Sequence, residues 1–183
     1  MARLPYVDPA TAPEAVREAL AATAAPLKIF RMMAHAETNL RPLLRFGASI
    51  LGRQQLSARL RELAILRVAN TSRAAYEWTQ HVPIAKATGV TDEQVAALAA
   101  GKGDAACFDA RDQLVLRFTD ELIHDVRVSD ATFDRMAQQF PPREIVELIL
   151  AVGFYMLIAR LLETTAVDMD EPAGTAVVDA VKR

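Results

Sequence analysis

Thiols are nearly missing from this chain: Cys107 is its one cysteine in 183 residues, so no internal disulfide can form and no second thiol exists to resolve an oxidised one. A dominant charge is missing too. With 21 Lys and Arg against 23 Asp and Glu, the net charge of −2 leaves no basic footprint, and no nucleic-acid partner is expected. Glycine is scarce at seven residues, while 52% of the chain is hydrophobic and 24% charged, which excludes collagenous and disordered classes. No sustained alternation of β-branched residues marks a strand, and no repeat or low-complexity segment occurs. The opening MARLPYVDPATAPEA has no apolar core of a secretory signal. The longest apolar run, residues 148–159 between Glu147 and Arg160, is about half the ~20 residues that cross a bilayer, so it reads as a core or interface helix. No membrane partner is expected, and a cytoplasmic location is. Histidine is sparse as well. His35 has no second ligand three or four residues away and reads as a surface or capping residue. His124, beside Glu121 and Asp125, reads as part of an exposed helix, and neither a metal nor a cofactor is expected.

What is present is helical periodicity. A chain of this length suits one domain that buries around two-thirds of its unfolded surface. Residues 1–12 form a proline-rich arm, and the first helix begins near Pro13. Apolar residues recur at helical intervals over 27–51, where Pro42 predicts a kink or a split. Shorter helices follow over 92–100, 108–126 and 130–140, the last capped by Ser129 and stopped by Pro141-Pro142. The Gly101-Lys102-Gly103 stretch is a turn, since it lacks the spacing of a phosphate loop. The helix over 143–165 is apolar nearly all round, which predicts burial in a core or an assembly. The expected fold is all-α, a single-domain bundle of about seven or eight helices with its core over about 27–165 and an irregular tail or short arm over 168–183.

Chemistry concentrates in residues 57–89. Ser57 is a good N-cap for RLRELAILRVA, in which Glu62 shares a helix side with Ile65, Leu66 and Ala69. Further on, Glu77 and His81 stand four apart, neighbours on one helix face with Ala74, Ile84, Ala85 and Thr88. Gly89 closes that helix and Thr91 caps the next. Two carboxylates and a histidine in apolar company make an acid–base relay: burial raises a carboxyl pKa, and a histidine beside a carboxylate is poised near neutral pH. Tyr76 and Trp78 read as packing residues, and Tyr155 as an additional hydroxyl. Arg53, Arg61 and Arg73 are candidate cations for an anionic substrate.

Glu62, the triplet Tyr76-Glu77-Trp78, His81 and the following ATGVTDEQVAAL resemble the carboxymuconolactone decarboxylase-like proteins, whose superfamily includes the alkylhydroperoxidase D enzymes. The resemblance covers most of the chain and is strongest over about 56–100. It implies an alkylhydroperoxidase D-like helical fold and trimers or hexamers. It matches Glu62 and His81 to the redox members' glutamate and histidine, but their Cys-x-x-Cys positions fall on Ala74 and Glu77. Glu77, four before His81, matches the glutamate of the decarboxylase branch. The expected function is therefore a lyase of the decarboxylase type that uses Glu62, Glu77 and His81 on a carboxylated, lactone-type or related small molecule. A non-catalytic ligand-binding or assembly protein on the same fold is the second reading. A peroxidase is the third, and the missing thiols speak against it.

Overall fold

The computed structural model describes residues 1–181. Among them lie ten helices and no strand: α1 (Glu14–Ala21), α2 (Lys28–Met33), α3 (Glu37–Arg53), α4 (Ala58–Thr71), α5 (Ala75–Ala87), α6 (Asp92–Ala99), α7 (Ala110–Asp125), α8 (Asp130–Gln139), α9 (Pro142–Thr165) and α10 (Ala176–Val181). The all-α expectation holds, and eight of the ten helices run eight residues or longer.

Helix α4 lies at the centre, packed by α5, α6, α7 and α9. Its residues from Leu60 to Leu66 are all buried, so Arg61 and Glu62 have no route to bulk water and must find partners inside. Helix α9 supplies the other half of the main core through Ile145, Leu148, Val152 and Tyr155. A polar clamp joins α4 to the α6–α7 side: Arg59 donates to both oxygens of the fully buried Asp112, each at 2.7 Å. Gln94 donates to the same carboxylate at 3.3 Å while its other amide atom completes the capping box with Thr91.

Two local features aim the helices. The link from α4 to α5 turns at Arg73, whose φ of 55° lies in the left-handed region. The N–H of Ala74 reaches back to the Ala69 carbonyl at 2.8 Å and that of Arg73 to Asn70 at 3.1 Å, a Schellman closure that helices usually build on glycine. Holding arginine there costs about 1 kcal/mol, which the packed α4–α5 contact offsets. At the far end of α5, Gly89 takes φ +100° as expected.

The structure corrects two expectations. The helical stretch over 27–51 is broken at residues 34–36, ahead of Pro42, and Pro42 sits inside α3. The missing N–H of Pro42 deprives only the Thr38 carbonyl, in the first turn, and the break falls instead where Ala36 leaves helical geometry with ψ 68°. His35 at that break pairs Nε2 with the Pro5 carbonyl at 2.7 Å and so ties down the N-terminal arm. The tail is not irregular throughout: α10 packs on α3, and residues 168–175 strap across from the end of α9. Positions 182 and 183 of that predicted tail lie outside the described residues.

Helix α9 as a whole is long and apolar enough to cross a membrane by length and composition, with mean hydropathy 2.2 over its best window. Its inward face is core. Its outward face carries Val146 at 54% exposure, Leu150 at 43% and Leu157 at 45%, with Ile149 and Gly153 between them. These positions recur at helical spacing and form one apolar stripe.

Candidate active site

Glu62, in the middle of α4, is fully buried. Its Oε1 accepts from Arg61 Nε at 3.3 Å and from a second guanidinium nitrogen at 3.2 Å. Arg61 in turn donates to the Ile50 carbonyl at the end of α3 at 3.3 Å. The other carboxylate oxygen, Oε2, accepts from His81 Nδ1 at 2.8 Å across the α4–α5 contact. With Nδ1 holding the proton toward a carboxylate, Nε2 is the basic nitrogen of the ring. The Tyr155 ring fixes the imidazole plane by standing edge-on to it, centroids 4.8 Å apart. Burial foremost, then the Glu62 and Glu77 charges, raise the Tyr155 pKa, so that hydroxyl keeps its proton.

Glu77 is the exception to every pairing rule. Its two carboxyl oxygens are shut off from solvent, and neither has a hydrogen-bond partner among the described residues. Burial first, then the charges of Glu163 and Glu62, push its pKa well above the usual carboxylate range. The carboxyl is driven toward its neutral form one helical turn before His81.

Glu77, His81 and Tyr155 share the wall of a cavity of about 350 Å³. Its far side comes from α1, α2 and α3, and Gly174 of the strap reaches its edge. Glu62 is absent from that wall; it stands behind His81. The strap is held from α5 by residues that flank the acid and the base. Tyr76 donates to Asp170 Oδ2 at 2.7 Å, and Gln80 donates to the Asp170 and Glu171 carbonyls at 3.3 and 3.2 Å while accepting from Ala173 N–H at 3.0 Å. Sequence reasoning missed Gln80 altogether and took Tyr76 for packing; their partners lie some ninety residues away, so no local pattern announces them.

The candidate cations for an anionic substrate are not on this wall. Arg61 is consumed by Glu62 and Ile50, while Arg53 and Arg73 are exposed outside the cavity. Trp78 is half-buried against the main core, away from the cavity lining. Cys107 is also outside it. At His124, the neighbouring Glu121 is already committed: burial opposes its charge, but Thr132, Ser129 and Arg117 outweigh that and hold its pKa down to about 2. Among the described residues no three His, Cys, Asp or Glu side chains are grouped to hold a metal ion.

The sequence profile of the carboxymuconolactone decarboxylase family matches residues 38–121, which carry Glu62, Glu77 and His81. No curated protein matches the chain. Three solved structures share its fold. An uncharacterized peroxidase-related protein from Ralstonia eutropha JMP134, with an alkylhydroperoxidase AhpD core, has TM-score 0.78 and 18% identity, covering 92% of both chains. An uncharacterized peroxidase-related protein from Silicibacter sp. TM1040 has TM-score 0.77 and 17% identity, covering 92% of both chains. A protein of unknown function from Agrobacterium tumefaciens has TM-score 0.68 and 16% identity, covering 75% of this chain and 94% of its own. The match to the carboxymuconolactone decarboxylase family model thus spans residues 38–121, and these solved structures share the helical fold.

The state of Glu77 can be checked through stability. In the unfolded chain this carboxyl ionises near pH ~4.3, whereas in the fold it keeps its proton to much higher pH. Its contribution is complete below the unfolded pKa and is lost as pH rises toward the folded pKa, by about 1.4 kcal/mol per pH unit. Glu77→Gln removes that dependence. The stability of this variant relative to wild type, from urea unfolding, should climb between pH 5 and pH 7, and a constant difference over that range would mean that Glu77 is ionised in the fold.

Proposed function

We propose that the protein is a small cytoplasmic enzyme of the carboxymuconolactone decarboxylase-like type, working by proton transfer without thiol chemistry. The observation that carries this reading is the buried, unpartnered Glu77 on the same cavity wall as His81. Buried polar groups in native proteins are nearly always satisfied, and an orphan costs about 1–3 kcal/mol. Such a cost persists where a substrate supplies the missing partner.

In this reading His81 Nε2 removes a proton from a carbon next to a carbonyl or lactone group, and Glu62 stabilises the imidazolium through Nδ1. Glu77 gives a hydrogen bond, or its proton, to the oxygen that gains charge. Returning a proton to carbon completes an isomerisation. In a decarboxylation the same acid quenches the carbanion left when carbon dioxide departs. A positioned acid or base contributes about 10²–10⁴-fold in rate. Deuterium uptake at the α-carbon of ketones and lactones, followed by NMR in D₂O, reports the step directly. Glu62→Gln and His81→Asn should each lower it by at least about a hundredfold, and the double variant should lose little more, because the pair acts as one unit. If both single variants unfold at the wild-type temperature and exchange deuterium at the wild-type rate, the relay is refuted. The apolar cavity also fits a protein that binds its ligand without converting it, and wild-type protein that catalyses no exchange on any binder would favour that reading.

The peroxidase-related neighbours raise thiol chemistry as the competing activity. Positions 74 and 77 carry alanine and glutamate, and Cys107 lies apart. Peroxide should not be consumed in a thiol-dependent manner, and Cys107→Ser should leave turnover unchanged. Enzymatic peroxide consumption that vanishes in Cys107→Ser would reverse this conclusion.

We also propose that the α9 stripe joins copies of this chain, in the trimer or dimer of trimers that the superfamily resemblance implies. Four large apolar side chains exposed in one line are more than a free surface helix ordinarily shows. Light scattering at micromolar concentration should give an oligomeric mass that Leu150→Arg with Leu157→Glu reduces to the monomer. A monomeric wild type would sink the idea.

A further inference from the structure

The cavity beside Glu77 and His81 has almost no charge to offer a ligand. Its lining is set by Phe30, Met33, Leu44, Leu51, Phe154 and Ile158, on α2, α3 and α9. The one cation among its lining residues, Arg45, is exposed on α3. Arg61 is deeper but already neutralised by Glu62. Glu62 is bonded on one oxygen to Arg61 and on the other to His81 Nδ1, and burial drives Glu77 toward its neutral acid. Apart from the exposed Arg45, no lysine or arginine lines the cavity to compensate a carboxylate, and an ion desolvated without a partner costs several kcal/mol. What the wall does offer is a hydrogen-bond donor with no protein acceptor, the Glu77 carboxyl. The volume, about 350 Å³, holds on the order of a dozen water-sized groups.

We propose that this cavity takes a neutral, apolar molecule bearing one hydrogen-bond-accepting carbonyl, an alkyl ketone or alkyl-substituted lactone, and rejects its carboxylate counterparts. The hydrocarbon body lies among the residues of α2, α3 and α9, and the carbonyl oxygen takes the Glu77 proton as a hydrogen bond. The placing of that oxygen rests on the acid–base reading above; the choice of neutral over anionic ligand rests on the lining alone. With a neutral ligand, the reaction among those open to the relay is isomerisation or lactone chemistry, since decarboxylation consumes a carboxylate. A substituted carboxymuconolactone-like anion would then be a poor fit despite the superfamily name.

The test is a matched pair on the full chain. Titration calorimetry at pH 7 compares 2-decanone with decanoate, which share length and differ in charge. The ketone should bind at least about tenfold tighter, a difference of about 1.4 kcal/mol. Ala48→Phe fills the cavity from α3 and should weaken the ketone about tenfold without affecting decanoate. Leu44→Lys, at a half-buried lining position, places a cation there and should reverse the preference. Glu77→Gln keeps an N–H donor, so it should bind the ketone within about threefold of wild type. Decanoate binding as tightly as the ketone, no saturable ketone binding, or unaltered ketone binding by a folded Ala48→Phe would each overturn the proposal. None of these touches the relay, whereas deuterium exchange surviving in Glu62→Gln with ketone selectivity intact would sink the relay and leave this inference standing.

Discussion

The buried chain from the Ile50 carbonyl through Arg61 and Glu62 to His81 is the constraint around which the molecule is built. It crosses from α3 through α4 to α5, and the Tyr155 ring on His81 extends it to α9. No link can be dropped alone. Without Arg61, Glu62 would be an uncompensated ion at zero exposure; without Glu62, Arg61 would be one, and His81 would lose the partner that selects its tautomer. With Glu62 set between Arg61 and His81, the carboxylate has a partner on each oxygen and can lie in an apolar core at tolerable cost. It also sets where the imidazole stands, so the same contacts that hold the helices together determine the direction of the basic nitrogen.

Much of this was legible before any coordinates. The face shared by Glu77 and His81, the apolar side of Glu62, the turn at Gly89 and the cap at Thr91 all depend on residues within one or two helical turns, and the structure keeps each of them. What was not legible is long-range. Arg61 looked like a cation for substrate, because a sequence shows that an arginine is present and not that its neighbour in the chain will exhaust it. Gln80 looked like any polar helical residue, and only the return of residues 170–173 to α5 makes it a clamp. The break at Ala36 escaped notice because Pro42 was the stronger local signal, and a proline one turn into a helix does less harm than one at its middle.

At position 77, where the resemblance to the redox proteins would place a thiol, a carboxyl stands. Both groups are weak acids, but only the thiol has redox chemistry, and here the carboxyl stands one turn from a histidine bonded to a buried glutamate. A thiol in this setting is activated by becoming an anion. A carboxyl in the same apolar wall is driven the other way, toward the neutral acid, because desolvation penalises its charge and no cation nearby repays it.

The strap brings Gly174 to this wall, and its attachments are informative. Tyr76 and Gln80 precede and follow Glu77 by one and three residues, on the helix that also holds His81. Burial raises the Tyr76 pKa first, and its hydrogen bond to Asp170 adds to that, so the phenol stays a donor throughout the neutral range. Asp170 is held a second time by Lys28, through both its backbone N–H at 2.7 Å and its ammonium at 3.3 Å. Closure of the cavity and placement of the acid and base are consequently not separate properties. Any movement of 168–175 that admitted a ligand would have to release bonds made by side chains flanking Glu77, and the water it let in would lower the cost of ionising that carboxyl.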